Sequence, residues 1–244
     1  MSPARILLSC GVVALAAGIW FGKRLPEVAQ LAHGVLSDPV QLDRPSPVFA
    51  SRAGGVDYRV APVADYDIAG VVVSRHDSDA WYDWIHDAFN DHLNVVDLCL
   101  VWGANAADGA YRKMRFSSGQ FVCYVETNDP GALQPAYLRA LSNNHLLTSD
   151  PALARRLRAL RVGDQVRLRG QLAAYSHTVG GGFQRGTSTV REDTGNGACE
   201  TLYVHELTLL RAAPHWPRGL RWAGAALLAL GLLMWWRAPP RARS

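Results

Sequence analysis

The sequence predicts an α+β domain, mainly β, built on a small curved or closed sheet with one or two packed helices. An apolar helix flanks it at each end. Three observations carry this expectation. Long uncharged runs stand near both chain ends, short β-branched stretches recur between them, and one alternating strand carries a glycine near its centre. Of the 244 residues 49% are hydrophobic, which excludes a globally disordered or collagen-like chain.

The formal net charge of +4 conceals a division. Residues 1–24 hold three basic groups (Arg5, Lys23, Arg24) and no acid, and residues 218–244 hold five (Arg218, Arg221, Arg237, Arg241, Arg243) and no acid. The remaining 17 basic residues face all 21 acidic ones in the middle, which is therefore net −4. Such blocks point to a lipid bilayer at the ends and away from nucleic acid as a partner of the middle.

Ile6 to Gly22 is uncharged (ILLSCGVVALAAGIWFG), closed by Trp20, Phe21, Lys23 and Arg24. As a helix it spans roughly 26 Å, short but sufficient for a membrane. Arg5 followed by a small-residue site at Ala14-Leu15-Ala16 leaves a cleaved signal open, but the run continues past it and favours an uncleaved anchor. Trp222 to Trp236 (WAGAALLALGLLMWW) lies between Arg221 and Arg237, with tryptophans at both ends. The divisions expected are an anchor over 1–24, a linker or arm over 25–56, an extracytoplasmic domain over 57–212, and a membrane helix with a basic cytoplasmic tail over 213–244. The excess of arginine after the second span puts the C-terminus inside and the middle outside, in a bacterial inner membrane with a periplasmic domain.

Within the middle, Ile68–Ser74 reads as a buried strand. Ser78 or Asp79 then caps a helix running to about Leu93, with Trp81, Trp84, Ile85, Ala88, Phe89 and Leu93 on one face. Val95–Trp102, Tyr111–Phe116 and Gln120–Thr127 read as strands, the last two joined by a turn at Ser117-Ser118-Gly119. Asp150-Pro151 starts a second helix, an N-cap followed by proline at the first position, with Leu153, Leu157 and Leu160 as its stripe. In GDQVRLRGQLAAY, Val166, Leu168, Leu172 and Ala174 alternate with polar residues and Gly170 permits a bend. Glu200–Leu210 closes the domain after a polar, glycine-rich run too long for a simple hairpin loop.

The GDQVRLRG stretch resembles the opening strands of oligonucleotide/oligosaccharide-binding (OB) barrels, which makes an OB-like barrel the specific form of the curved sheet expected. On a larger scale SSGQFVCYVE, LSNNHLL followed by DPALA, GDQVRLRGQLA and RGTSTVREDTGNGACE resemble a group of bacterial membrane-anchored proteins with no assigned activity. The resemblance covers Tyr66 to Leu210 and implies domain boundaries but no catalytic residue.

Candidate chemistry is sparse. Asp79, Asp83, Asp87 and Asp91 recur every four residues, a ridge of like charges if helical. Such a ridge is ordinarily a solvated face, so no metal is expected, and Asp83, Asp87 and Asp91 are the weak candidates for one. Ser142-Asn143-Asn144-His145 reads as a turn, with Asn143, Asn144 and His145 as candidate ligand contacts and His145 as a candidate base. Gly180–Gly182 with Arg185, Thr187 and Arg191 suggests an anion-binding loop, although it lacks the Gly-Lys-Ser/Thr ending of a nucleotide P-loop. There is no C-x-x-C and no paired Cys/His spacing. Cys99, Cys123 and Cys199 are either a disulfide plus a spare thiol or three small buried hydrophobes, with the pairing open. No cofactor is expected. The function expected is a binding module for an envelope protein or polar envelope component. The alternative is a hydrolase, metal-assisted or not, using His145 and the 180–191 loop.

Overall fold

A computed structural model describes residues 2–22, 24–190 and 199–237, which fall in two compact units, Met1–Arg24 with Pro214–Ser244 and Leu25–Ala213. The first unit consists of helices α1 (Pro3–Phe21) and α6 (Trp216–Trp236), both long and apolar enough to cross a membrane. They run antiparallel, with Leu8 against Gly231 and Gly18 against Pro217. Glycine allows this closeness. A Cβ on Gly224 would stand 2.6 Å from the Leu15 amide nitrogen, and one on Gly18 would stand 2.6 Å from the Pro217 carbonyl. Small residues that bring backbones together take the place of the hydrophobic drive that a lipid environment does not supply.

The second unit is mixed α+β and mainly sheet. In chain order its elements are β1 (Val40–Leu42), β2 (Phe49–Ala53), β3 (Val56–Asp77), α2 (Trp84–Ala88), β4 (Asn94–Val101) and α3 (Gly103–Ala107). There follow β5 (Arg115–Gly119), β6 (Val122–Glu126), α4 (Pro135–Leu138), β7 (Leu141–Leu147) and α5 (Pro151–Arg158), then β8 (Gln165–His177), β9 (Phe183–Arg185) and β10 (Glu200–Arg211). Five strands form a ring-like sheet in which β3 pairs with β4, β4 with β7, β7 with β10, β10 with β8, and β8 with β3 again. All are antiparallel except β7–β10. The strand β3 is 22 residues long, enough to pair with β1 and β2 as well.

Inward-pointing residues fill the ring: Ile68 and Val72 from β3, Leu98 and Leu100 from β4, Leu146 from β7, Leu168 and Leu172 from β8, and Leu202 from β10. Leu153 and Leu157 of α5 join them, so the expected stripe of that helix is packed into this core. Burying each such leucine contributes roughly 1.5–3 kcal/mol before the entropy of ordering is charged against it. Curvature comes from irregularities in the ladder. The β10 register shifts between Val204 and Glu206 opposite Gly170, where an added Cβ would lie 2.0 Å from the Tyr203 carbonyl oxygen. The bend expected at Gly170 is thus a place where only hydrogen fits.

Several local expectations are corrected. Residues 25–56 are not a linker: β1 and β2 join the sheet, and Val35 is fully buried. The helix expected to reach Leu93 is only Trp84–Ala88. Asp83 caps its start by accepting from the Ile85 and His86 amides, and Asn90 ends the segment at φ 50°. Of its intended apolar face Leu93 is buried, but Trp81 at 94%, Trp84 at 70% and Phe89 at 48% are exposed, so little burial supports a longer helix. Ser142–His145 is not a turn but the middle of strand β7, whose polar residues are covered on both faces. Tyr111 lies in a 3-10 turn (Ala110–Lys113), and the β5–β6 turn falls later than expected, around Gln120 and Phe121.

Candidate functional site

The outer face of β4 and β7 carries the chemistry. Leu98, Leu100 and Leu146 point into the ring, so by alternation Asp97, Cys99, Asn143 and His145 point out. Asp97 and His145 are directly paired across the two strands. Over them lies the β5–β6 hairpin, fastened to β4 by the disulfide Cys99–Cys123. Cys199 is left as a free thiol, its pKa raised chiefly by burial. Phe121, at the hairpin turn with φ 63°, is held by its neighbours. Its carbonyl accepts from Asn143 Nδ2 at 3.1 Å, and its ring centroid lies 4.0 Å from that of His86 and 4.1 Å from the Arg185 guanidinium carbon.

Beneath the hairpin runs a file of buried polar groups whose protons can all be assigned. Arginine only donates, so Arg185 Nη2 at 2.5 Å requires His145 Nε2 to accept, and the ring proton sits on Nδ1, donated to Asp97 Oδ1 at 2.6 Å. The two amide protons of Asn94 go to the same Asp97 oxygen at 2.9 Å and to His86 Nε2 at 3.1 Å. His86 then donates from Nδ1 to Asp83 Oδ2 at 2.5 Å, and His76 donates from Nε2 to that same oxygen at 2.6 Å. Asp83 Oδ1 accepts from the Ile85 and His86 amides and from Gln120 Nε2. Asn94 Oδ1 and Asp97 Oδ2, both buried, have no hydrogen-bond partner among the described residues.

The electrostatics follow from burial and these partners. Burial pushes the His145 pKa below its ordinary value and the Arg185 guanidinium adds to this, against Asp97, so the imidazole is neutral. Burial acts to raise Asp97, but His145 and Asn94 outweigh it and hold the carboxylate ionised. Burial likewise opposes ionisation of Asp83, and the hydrogen bonds from His76 and the His86 amide bring its pKa below the ordinary value. Asp91 goes the other way, raised by burial although Tyr175 donates to it at 2.7 Å.

The candidate residues fall as follows. His145 and Arg185 are brought together. Asn143 braces the hairpin, and Asn144 Nδ2 donates to Ser142 Oγ at 3.0 Å on the inner side of β7. Thr187 Oγ1 accepts from the Thr201 amide at 2.9 Å and serves the loop's own backbone. Arg191 lies outside the described residues. The aspartate ridge does not exist: Asp87 is exposed, Asp79 pairs with Arg158, and Asp83 and Asp91 turn inward. Asp83 instead joins His76 and His86, whose ligand-type atoms all lie within 4.8 Å of one another. This grouping was missed because His76 and His86 are ten positions apart on different elements, in no recognised metal motif. For the hydrolase alternative, the Asp97–His145 pair is present, but the imidazole nitrogen that would face a nucleophile is occupied by Arg185.

A second feature is a cavity of about 590 Å³ beside the middle of β3, the end of β4 and the start of β7. Tyr66 and Trp102, 2% and 1% exposed, form its floor with Ala140 and Gly103. Exposed Asp38 and Arg139 bring opposite charges to its lining, beside Leu36, Pro39, Gln41 and Thr189. Gly103, at φ 48°, lets the backbone pass Asp38, whose Oδ1 would lie 2.5 Å from an added Cβ. No protein-family model, curated protein or solved structure matches the chain.

Proposed function

We propose that the chain is a membrane-anchored binding module whose extracytoplasmic, OB-like domain holds a segment of an envelope protein partner in the Tyr66–Trp102 cavity. The observation that carries this reading is the cavity itself. It combines an aromatic floor with one carboxylate and one guanidinium on its lining, a combination suited to a ligand with apolar and charged parts. The OB-like reading is supported by the order of the ring, with its single parallel pair and with α5 between the third and fourth ring strands. The disulfide Cys99–Cys123 supports an oxidising compartment, in agreement with a periplasmic domain between two inner-membrane spans.

A photo-crosslinking residue at Ala136, on the cavity wall, tests the proposal in intact membranes. One reproducible adduct is expected, lost by at least tenfold in Arg139→Glu and Asp38→Arg and retained in Asp87→Lys, a change at an exposed position of α2 that does not line the cavity. An adduct indifferent to both cavity charges would remove the cavity as the binding site.

A further inference from the structure

We propose that His76, Asp83 and His86 form a binding site for one divalent transition-metal ion of zinc type. Each residue comes from a different local position: the end of β3, the N-cap of α2, and its first turn. All three are buried, at 4%, 7% and 2% exposure, and their ligand atoms lie within 4.8 Å of one another. Two imidazoles and one carboxylate are the nitrogen and oxygen donors that suit zinc, and a fourth position is left for water or another group.

The surroundings are arranged as a ligand shell requires. Asp83 Oδ1 is fixed by the Ile85 and His86 amides and by Gln120, which leaves Oδ2 to face both imidazoles. Two N–H groups converge on that single oxygen, at 2.6 and 2.5 Å. An ion between the three groups replaces both hydrogen bonds. With metal–ligand bonds of about 2.0–2.2 Å in tetrahedral geometry, the ligand atoms stand roughly 3.4 Å apart, so loading opens each contact by somewhat under 1 Å.

Loading also moves the His86 proton from Nδ1 to Nε2, where it needs an acceptor. The structure supplies one. Asn94 is not that acceptor, because the Nδ2 that faces Nε2 also donates to Asp97 Oδ1, and turning the amide over would set its oxygen against that carboxylate. Asp91 Oδ2 lies 4.0 Å from the same ring nitrogen. A ligating imidazole whose other nitrogen is held by an amide or carboxylate is the usual outer arrangement of a metal site.

Trp81 and Trp84 bracket Asp83 in sequence and report on the site by fluorescence. The full chain, purified in detergent and stripped with chelator, is titrated with Zn²⁺ and with Co²⁺. The expected result is one equivalent bound, a change in tryptophan emission, and cobalt d–d bands of tetrahedral strength without a thiolate charge-transfer band. Asp83→Asn and His76→Gln should each weaken binding at least tenfold, while Cys199→Ala leaves it unchanged. Near-UV circular dichroism establishes that each variant is folded. Should both fail to fold, the wild-type cobalt spectrum decides alone, since a thiolate band would place the ion at a free cysteine, Cys10 or Cys199, and overturn the proposal. Absence of stoichiometric binding by the wild type, or unchanged affinity in folded Asp83→Asn and His76→Gln, would overturn it equally.

Discussion

His145 was conspicuous in the sequence as a histidine beside two asparagines, but its partner was not. Asp97 stands alone among apolar residues in VVDLCLV, a single acid inside a strand, and that isolation is the signal that a buried partner must exist. The pair has a pH consequence whose sign is fixed. Since the folded His145 pKa lies below the ordinary 6.5, the unfolded chain takes a proton that the folded imidazole refuses. Stability is therefore lost as pH falls below 6.5, with a limiting slope of about 1.4 kcal/mol per pH unit for one proton. Asp97, held below its ordinary 3.8, adds stability that disappears only at more acid pH, and Asp91, raised above 3.8, acts with the opposite sign. His145→Asn retains an N–H for Asp97 and leaves both carboxylates in place. Urea midpoints of the full chain in detergent, measured from pH 7.5 to 5, should show a shallower acid decline in the variant. An unchanged slope would show that His145 is not held neutral.

Elements were legible where one physical demand dominated. The helix α5 announced itself because its cap, its proline and its leucine stripe agree, and the bend of β8 because glycine interrupts an otherwise strict alternation. The strand β7 was not legible. Its centre, Ser142 to His145, carries turn-forming residues, and only the covering hairpin makes their burial intelligible. The segment 78–93 failed for the reverse reason: its helical spacing is real, but Trp81 and Trp84 stay largely exposed. Because the hairpin is what buries the polar file, its fastening has a measurable effect. Cys99 and Cys123 are 24 residues apart, and removing a cross-link over such a loop costs about 3.5 kcal/mol by chain entropy. The double change to alanine should lower stability by about that amount. It should also speed hydrogen exchange in 115–126 more than in β8. Uniform acceleration would mean that the bond stabilises the domain without particularly holding the hairpin.

At the scale of the whole molecule, the charge division and the two apolar helices bear on one arrangement. In the proposed topology two crossings would put both chain ends on one side of a bilayer and Leu25–Ala213 on the other. Arginines follow the second helix on its C-terminal side, and such residues are retained in the cytoplasm, while a domain of net −4 carries no comparable barrier to export. A reporter active only outside the cytoplasm should therefore be active when fused near residue 130 and silent when fused after Ser244. Replacing Arg237, Arg241 and Arg243 with serine should weaken that asymmetry, because the orienting charges are then gone. The helices' mutual packing through Gly11, Gly18, Gly224 and Gly231 should keep them paired in either orientation, so expression ought to change less than sidedness. A fusion near 130 that reports cytoplasmic would reverse the arrangement. It would also remove the compartment in which a stable Cys99–Cys123 bond is expected, so sidedness and the oxidation state of these two thiols should change together.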